Sequence, residues 1–276
     1  MKLRVVELLL VTTVPTMVLA EGGWPSIQLM AITLIGGTLA AGGANAINMY
    51  IDRDIDKLMV RTQNRPLVTG ALTPRAAMIF AIALEIVAFL VLWAGANLLA
   101  AVLAVSATLF YVFVYSLWLK RTSKQNIVIG GAAGAMPVLV GWAAVTNSLG
   151  WAPVVLFVVI FLWTPPHFWA LAIRHADDYK AAGVPMMPVV VSLERTIRSM
   201  TTYAVLLTLS TLVLVPVADL GWVYGITAMV FGVAFVIGSV RLGSDPSPKR
   251  SMRLFTFSIT YVTAVFVALT VDVLLR

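Results

Sequence analysis

Nine apolar stretches follow one another along the chain, at about residues 4–20, 27–50, 76–94, 96–118, 126–146, 151–173, 199–218, 222–240 and 254–274. A helix needs about 20 consecutive apolar residues to cross the hydrocarbon core of a bilayer, and most of these runs reach that length. Short turns carrying charge, Gly, Pro or Asn separate them. The pattern predicts an all-α, polytopic membrane protein with nine transmembrane helices. No internal repeat, low-complexity tract or soluble domain interrupts it, so residues 1–276 read as one intramembrane domain.

Composition agrees: 61% of the residues are hydrophobic and 11% charged, with a mean hydropathy of +0.97, far outside the range of soluble domains. The chain has no cysteine, which excludes disulfides, thiolate metal ligands and a cysteine nucleophile. Its isoelectric point near 9.9 is explained by the placement of the basic residues, with no nucleic-acid partner needed. Lys2 and Arg4 open the chain, and basic groups then gather in alternate loops: Arg53 to Arg75, Lys120 to Lys124, Arg174 to Arg198, and Arg241 to Arg253. All 19 Lys and Arg except Arg276 thus fall on one side. The positive-inside rule makes that side cytoplasmic, with the amino terminus inside and the carboxyl terminus outside. The first apolar stretch ends Val-Leu-Ala-Glu in the manner of a cleavable signal, yet Glu7 and Pro15 interrupt it, and it reads as a retained first helix.

The longest polar pieces are the cytoplasmic loops at about 51–75 and 174–198. Where the second apolar stretch runs into the first of them, Asn48, Asp52 and Asp56 recur every fourth residue. At about 100° per residue they drift by only about 40° per step, so one carboxamide and two carboxylates stack on one helical face. Carboxylates at a membrane boundary are costly unless a cation offsets them. The stripe therefore suits a hard divalent metal, and Lys57, Arg61 and Arg65 just beyond it suit a diphosphate that completes the metal's octahedron. The competing account is a solvated loop in which Asp52, Asp54 and Asp56 pair with the arginines. Asp54 points some 200° from Asp52 on a helix and is the one expected to be merely salt-bridged or solvated.

Asn48-x-x-x-Asp52-x-x-x-Asp56 resembles the first aspartate-rich motif of the UbiA superfamily of intramembrane aromatic prenyltransferases. The text around it is similar to one branch, the protohaem IX farnesyltransferases or haem O synthases. The matching segments are Tyr50 to Asp56; Arg61-Thr62-x-x-Arg65-Pro66-Leu67; Asn126-Ile127-x-x-Gly130-Gly131-x-x-Gly134-Ala135-x-Pro137; Pro166-His167-Phe168-Trp169-Ala170-Leu171; and Asp178-Tyr179-x-x-Ala182-Gly183-Val184-Pro185-Met186. The resemblance spans about residues 2 to 275. It implies a UbiA-like bundle around a central intramembrane cavity, and Mg²⁺-assisted transfer of farnesyl from farnesyl diphosphate to a vinyl group of haem B, with addition of water, to give haem O. A haem A synthase or a terminal-oxidase assembly factor is the implied downstream partner.

Residue by residue, the resemblance implies that Asn48, Asp52 and Asp56 hold Mg²⁺ and diphosphate, with Asp178 as a further catalytic candidate. Lys57, Arg61, Arg65, Lys120, Arg121 and Lys180 are candidate diphosphate clamps. Lys120, Arg121 and Lys124 can equally be topology-setting charge. Many superfamily members carry a second aspartate-rich motif after the sixth span; here Asp177-Asp178-Tyr179-Lys180 lacks the four-residue repeat, which weakens a two-metal site. His167 follows Thr164-Pro165-Pro166, where a kink can open the helix. Its imidazole is a candidate haem ligand, or a partner for a freed carbonyl. His175 is a second haem candidate, or a headgroup-facing partner of Asp178. The two lie about 12 Å apart along a continuous helix, too far to bind one iron from opposite sides.

Glu85, inside the third span, is an intramembrane acid and so either functional or a buried structural group. Tyr111 and Tyr115, four apart, could face an allylic cation but are as readily core or interface belt. Gly130, Gly131 and Gly134 read as close helix packing. Other functions fit part of the pattern: a UbiA-type enzyme with a hydroxybenzoate or quinone-precursor acceptor, a transporter, or a non-catalytic haem-binding assembly factor. A transporter site belongs near the bilayer midplane, whereas these carboxylates sit at one edge.

Overall fold

A computed structural model describes the backbone of residues 3–276 and the side chains of residues 11–276. Lys2, and the side chains of Arg4 and Glu7, lie outside the described residues. Among these residues there are long helices and no β-strand. We number the long helices α1 (Leu3–Glu21), α2 (Ile27–Ile51), α3 (Pro74–Gly95), α4 (Leu98–Thr122), α5 (Asn126–Thr146), α6 (Trp151–Arg174), α7 (Leu193–Val217), α8 (Trp222–Ser244) and α9 (Pro248–Leu274). From α2 onward all eight are long and apolar enough to cross a membrane. The protein is an integral, multi-pass membrane protein.

The helix starts follow local chemistry. Ser26, Thr73, Asn97, Ser192 and Ser247 each accept a backbone N–H of the first turn through the side chain, and Pro74 and Pro248 stand at the first helical position. Helices α7 and α9 begin about six residues before the apolar stretches that announced them. Their first turns, Leu-Glu-Arg-Thr-Ile-Arg and Pro-Lys-Arg-Ser-Met-Arg, are charged and project beyond the hydrophobic layer. Hydropathy reports the thickness of the bilayer, whereas the capping serine sets where the helix starts.

Helices α5 to α9 enclose the larger apolar core, built on Leu156, Ile160, Trp169, Met200, Leu207, Phe235, Tyr261 and Phe266, with Val18 of α1 joining it. Helices α2 to α5 form a second, Ala-rich core around Leu92, Ala100 and Ala143. Between the two lies a chamber. The loops above it fold into short helices at Arg53–Leu58, Pro66–Thr69, Ala176–Ala181 and Met187–Val190. Ile55, Met59, Tyr179, Val184 and Met186 join Ile127 and Ala172 in an apolar cluster that ties these loops to α5 and α6 as a roof.

Helix α4 changes character midway. Phe110–Leu119 is π-helical, and the N–H of Lys120 reaches back to the carbonyl of Tyr115. Segments of this kind are uncommon and gather at functional sites. Helix α3 meets α2 where Gly43 has no side chain: a Cβ there would stand 2.5 Å from Glu85 Oε1 and 3.0 Å from the Ala81 carbonyl oxygen. Glu85 is half-buried and accepts from Thr108 Oγ1 at 3.2 and 3.1 Å, joining α3 to α4 behind the chamber wall. Gly43→Val should therefore lower stability by about 1–3 kcal/mol, the usual cost of overpacking. Thermal unfolding in detergent measures it, and an unchanged midpoint would show that α2 and α3 separate freely.

Candidate active site

Helix α2 carries Asn48 into its last turn, and the chain turns at Asp52 into the short helix Arg53–Leu58, so that Asp56 continues the stripe beneath the roof. Asn48, Asp52 and Asp56 are all buried, Asp52 completely. Each carboxylate is met by a cation from elsewhere in the chain. Lys120 Nζ pairs with Asp52 Oδ2, and Arg65 Nη1 lies 2.5 Å from Asp56 Oδ2. Asp52 Oδ2 also accepts from Asn48 Nδ2 at 2.7 Å. Asp54 points away as its helical phase predicts. It is exposed and takes both terminal nitrogens of Arg121 at 2.7 Å, an arrangement that holds its carboxyl well below the usual carboxylate range.

Asn48 and Asp56 line a cavity of about 260 Å³ together with Arg61, Arg65, Lys120 and Tyr179 at its charged end, and Tyr111, Tyr115, Gly130, Phe168 and Met186 further in. At Tyr111 and Gly134 it meets a second cavity of about 280 Å³ between α1, α2, α4 and α5, lined by Leu34, Gly37, Ala40, Ala44, Asn45, Ala104, Met136, Pro137 and Val140. The chamber is therefore charged under the roof and apolar in depth. Its waist is made by rings: Tyr111 and Tyr115 stack with centroids 5.3 Å apart. Gly130 makes room for Tyr115, since a Cβ there would collide with the ring. Tyr179 hangs from the roof. Burial pushes its hydroxyl pKa up, and the nearby Arg61 charge partly offsets this.

Among the described residues, no three carboxylates or histidines converge closely enough to hold a metal unaided. The donor set nonetheless fits Mg²⁺, which takes one or two protein carboxylates and fills its remaining positions with water and phosphate oxygens. Asp52 Oδ1 is buried without a hydrogen-bond partner, with Arg121 Nη2 at 3.9 Å. A buried, unsatisfied carboxylate oxygen is costly, and a hard cation satisfies it.

The other sequence candidates are placed differently. Lys57 and Lys180 are exposed, and neither lines the chamber. Arg121 serves Asp54 and the Ile51 carbonyl. Asp178 and His175 face each other at 4.0 Å on the roof helix, next to Tyr179 but outside the chamber lining. The His167 ring is stacked between Trp163 at 4.1 Å and Phe255 at 4.5 Å, with Nδ1 2.6 Å from Ser258 Oγ. Thr164, Phe168 and Leu171 on the adjoining face of α6 line the chamber, and His167 does not. Ser116 was not singled out from the sequence, and Tyr179 was quoted there only within a matching segment, with no role in the site. Their signal was weak, one hydroxyl in an apolar helix and one aromatic in a loop.

An apolar chamber within a helical membrane bundle, roofed by acidic and basic side chains, defines an intramembrane prenyltransferase. The UbiA prenyltransferase family matches residues 9–263, and the chain belongs to that family. It is 55% identical over 280 residues to a protoheme IX farnesyltransferase of Frankia casuarinae, covering 99% of this chain and 96% of that one. Among solved structures, a digeranylgeranylglyceryl phosphate synthase superposes with a TM-score of 0.82 at 18% identity, covering 99% of this chain and 95% of its own. A UbiA homologue of Archaeoglobus fulgidus bound to GPP and Mg²⁺ gives 0.70 at 20% identity, covering 97% of each chain.

The Lys120–Asp52 pair can be tested by itself. Lys120→Met strands a buried charge and should cost about 3–5 kcal/mol in stability. Adding Asp52→Asn should recover most of that loss in thermal unfolding. Equal midpoints for the wild type and the single variant would show that the pair is not desolvated.

Proposed function

We propose that this protein transfers farnesyl from farnesyl diphosphate to a vinyl group of haem B, with addition of water, to give haem O and diphosphate. The observation that carries this is the pair of buried carboxylates, each matched by a cation, at the mouth of an apolar chamber. The protoheme IX farnesyltransferase relative, 55% identical over nearly the whole chain, supports haem over a hydroxybenzoate or quinone-precursor acceptor. The carboxylates' place at one end of the bundle speaks against a transporter. A non-catalytic haem carrier would have no use for them.

Asn48, Asp52 and Asp56 would hold Mg²⁺, which neutralises charge developing on the departing diphosphate. Arg61, Arg65, Lys120 and the Tyr179 hydroxyl are placed to orient the diphosphate and share that charge. Lys120 and Arg65 pair with Asp52 and Asp56 and line the chamber, in reach of phosphate oxygens bound there. The stacked rings of Tyr111 and Tyr115 face the region where allylic positive charge appears, where they would stabilise it and exclude early water. The deeper apolar cavity takes the prenyl chain. The vinyl CH₂ carbon bonds to the farnesyl carbon that loses diphosphate. The cation left beside the porphyrin ring then takes a water oxygen, and one proton is released.

The positive-inside rule applied to the basic loops supports a charged mouth on the cytoplasmic side, with the amino terminus inside and the carboxyl terminus outside. The product is too lipophilic to leave the bilayer, which suits hand-over to a haem A synthase or an oxidase assembly factor in the same membrane.

Purified protein incubated with haem B, farnesyl diphosphate and Mg²⁺ should give a porphyrin heavier by one farnesyl and one hydroxyl group on mass analysis. Asp52→Ala should abolish this product and Mg²⁺-dependent diphosphate release together, and release at the wild-type rate would overturn the metal assignment. For His167 the hydroxyl of Ser258 is already donated to the Phe255 carbonyl at 2.6 Å. The imidazole therefore donates from Nδ1 and keeps a lone pair on Nε2, the form that binds iron. His167→Ala decides between the two roles: a shifted Soret band of bound haem would make the ring an iron ligand, whereas an unchanged spectrum and affinity would assign it to packing between Trp163 and Phe255.

A further inference from the structure

We infer that Ser116, on the π-helical segment of α4, is the positioning residue that turns the Asn48 amide so that its oxygen faces the metal. The inference rests on the proposed Mg²⁺-dependent transfer and deepens it. Ser116 is completely buried. Its hydroxyl donates its one proton to the Tyr111 carbonyl at 3.0 Å, five positions back along the widened helix. Toward Asn48 the oxygen can then only accept, and it does so from Nδ2 at 3.0 Å. The second Nδ2 hydrogen goes to Asp52 Oδ2 at 2.7 Å.

Both amide hydrogens are thereby committed, which leaves Oδ1, the atom able to bind a hard cation, without a hydrogen bond among the described residues. Turning the amide over would set Oδ1 against the Asp52 carboxylate and the Ser116 oxygen, acceptor against acceptor at both contacts. Asn48 also lines the chamber. Asn48 and Asp52 therefore act as one unit, whose orientation is set from α4, 68 residues further along the chain. In an α-helical α4 the Ser116 proton would turn to the carbonyl four back, and the hydroxyl would leave the position where it meets Asn48.

The test compares Ser116→Thr with Ser116→Val, two side chains of nearly equal volume of which only threonine keeps the accepting oxygen. Full-length variants in nanodiscs, loaded with an unreactive farnesyl thiodiphosphate, are titrated with Mn²⁺ and followed by electron paramagnetic resonance. Loss of an orienting partner behind a metal ligand typically weakens metal binding about 10–100-fold. Ser116→Val should therefore bind Mn²⁺ at least about tenfold more weakly than wild type, and Ser116→Thr close to wild type. Weakening by the same factor in both variants would mean that the added volume acts and not the hydroxyl, overturning the inference. So would wild-type affinity in Ser116→Val, with the metal site itself upheld. If wild type shows no saturable Mn²⁺ binding, the proposed function fails along with it.

Discussion

Two carboxylates buried at the edge of a bilayer constrain everything else in this molecule. Neither Asp52 nor Asp56 can remain ionised there alone, and the chain meets the demand from separate directions. Lys120 comes from the end of α4, and Arg65 from the cap of the short helix Pro66–Thr69, which follows the one that carries Asp56. Those two pairs hold α2, α4 and the roof in register. They also leave a site in which two carboxylates are balanced by two cations while Arg61 adds a further positive charge, suited to a metal and a diphosphate. A desolvated pair of this kind is a poor source of stability compared with apolar packing, which accords with a role in binding.

Around this charged mouth the architecture divides its labour. Helices α5 to α9 are packed with large side chains and serve as the rigid wall, while α2 to α5 are lined with Gly and Ala that let backbones approach and leave a hollow. Small residues on one side and bulky ones on the other make a void without a lid of empty backbone. The roof closes the void with an apolar cluster, so a reactive allylic cation formed beneath it is kept from bulk water by Ile55, Met59 and Met186 as much as by the tyrosines.

Much of this was legible before any coordinates. The bilayer demands long apolar runs, so every long helix was announced, and the four-residue repeat of Asn48, Asp52 and Asp56 announced the site. What stayed hidden has physical causes. Sequence spacing cannot show that Lys120 meets Asp52 while the adjacent Arg121 meets Asp54, because that depends on how α4 ends. For Tyr111 and Tyr115 the sequence left a ring facing an allylic cation and a core or interface-belt role both open, because their four-residue spacing does not reveal that Phe110–Leu119 is π-helical. Ser116 carries only the weak signal of one hydroxyl in an apolar run until its two partners are seen. Lys57 and Lys180 show the opposite error: close in sequence to acidic groups, they point out of the chamber because charge alone does not reveal which face of a short helix is covered.

The widened turns of α4 also set a rule about length. A π-helical stretch holds more residues per turn than its neighbours, and it persists only while the residue count between the flanking α-helical segments stays as it is. Removing one residue between Phe110 and Leu119 would let the segment relax to ordinary pitch and swing all later side chains around the axis, Lys120 among them. Any one of the ten positions can thus change its chemistry more safely than the stretch can change its number, so an indel there is graver than a substitution.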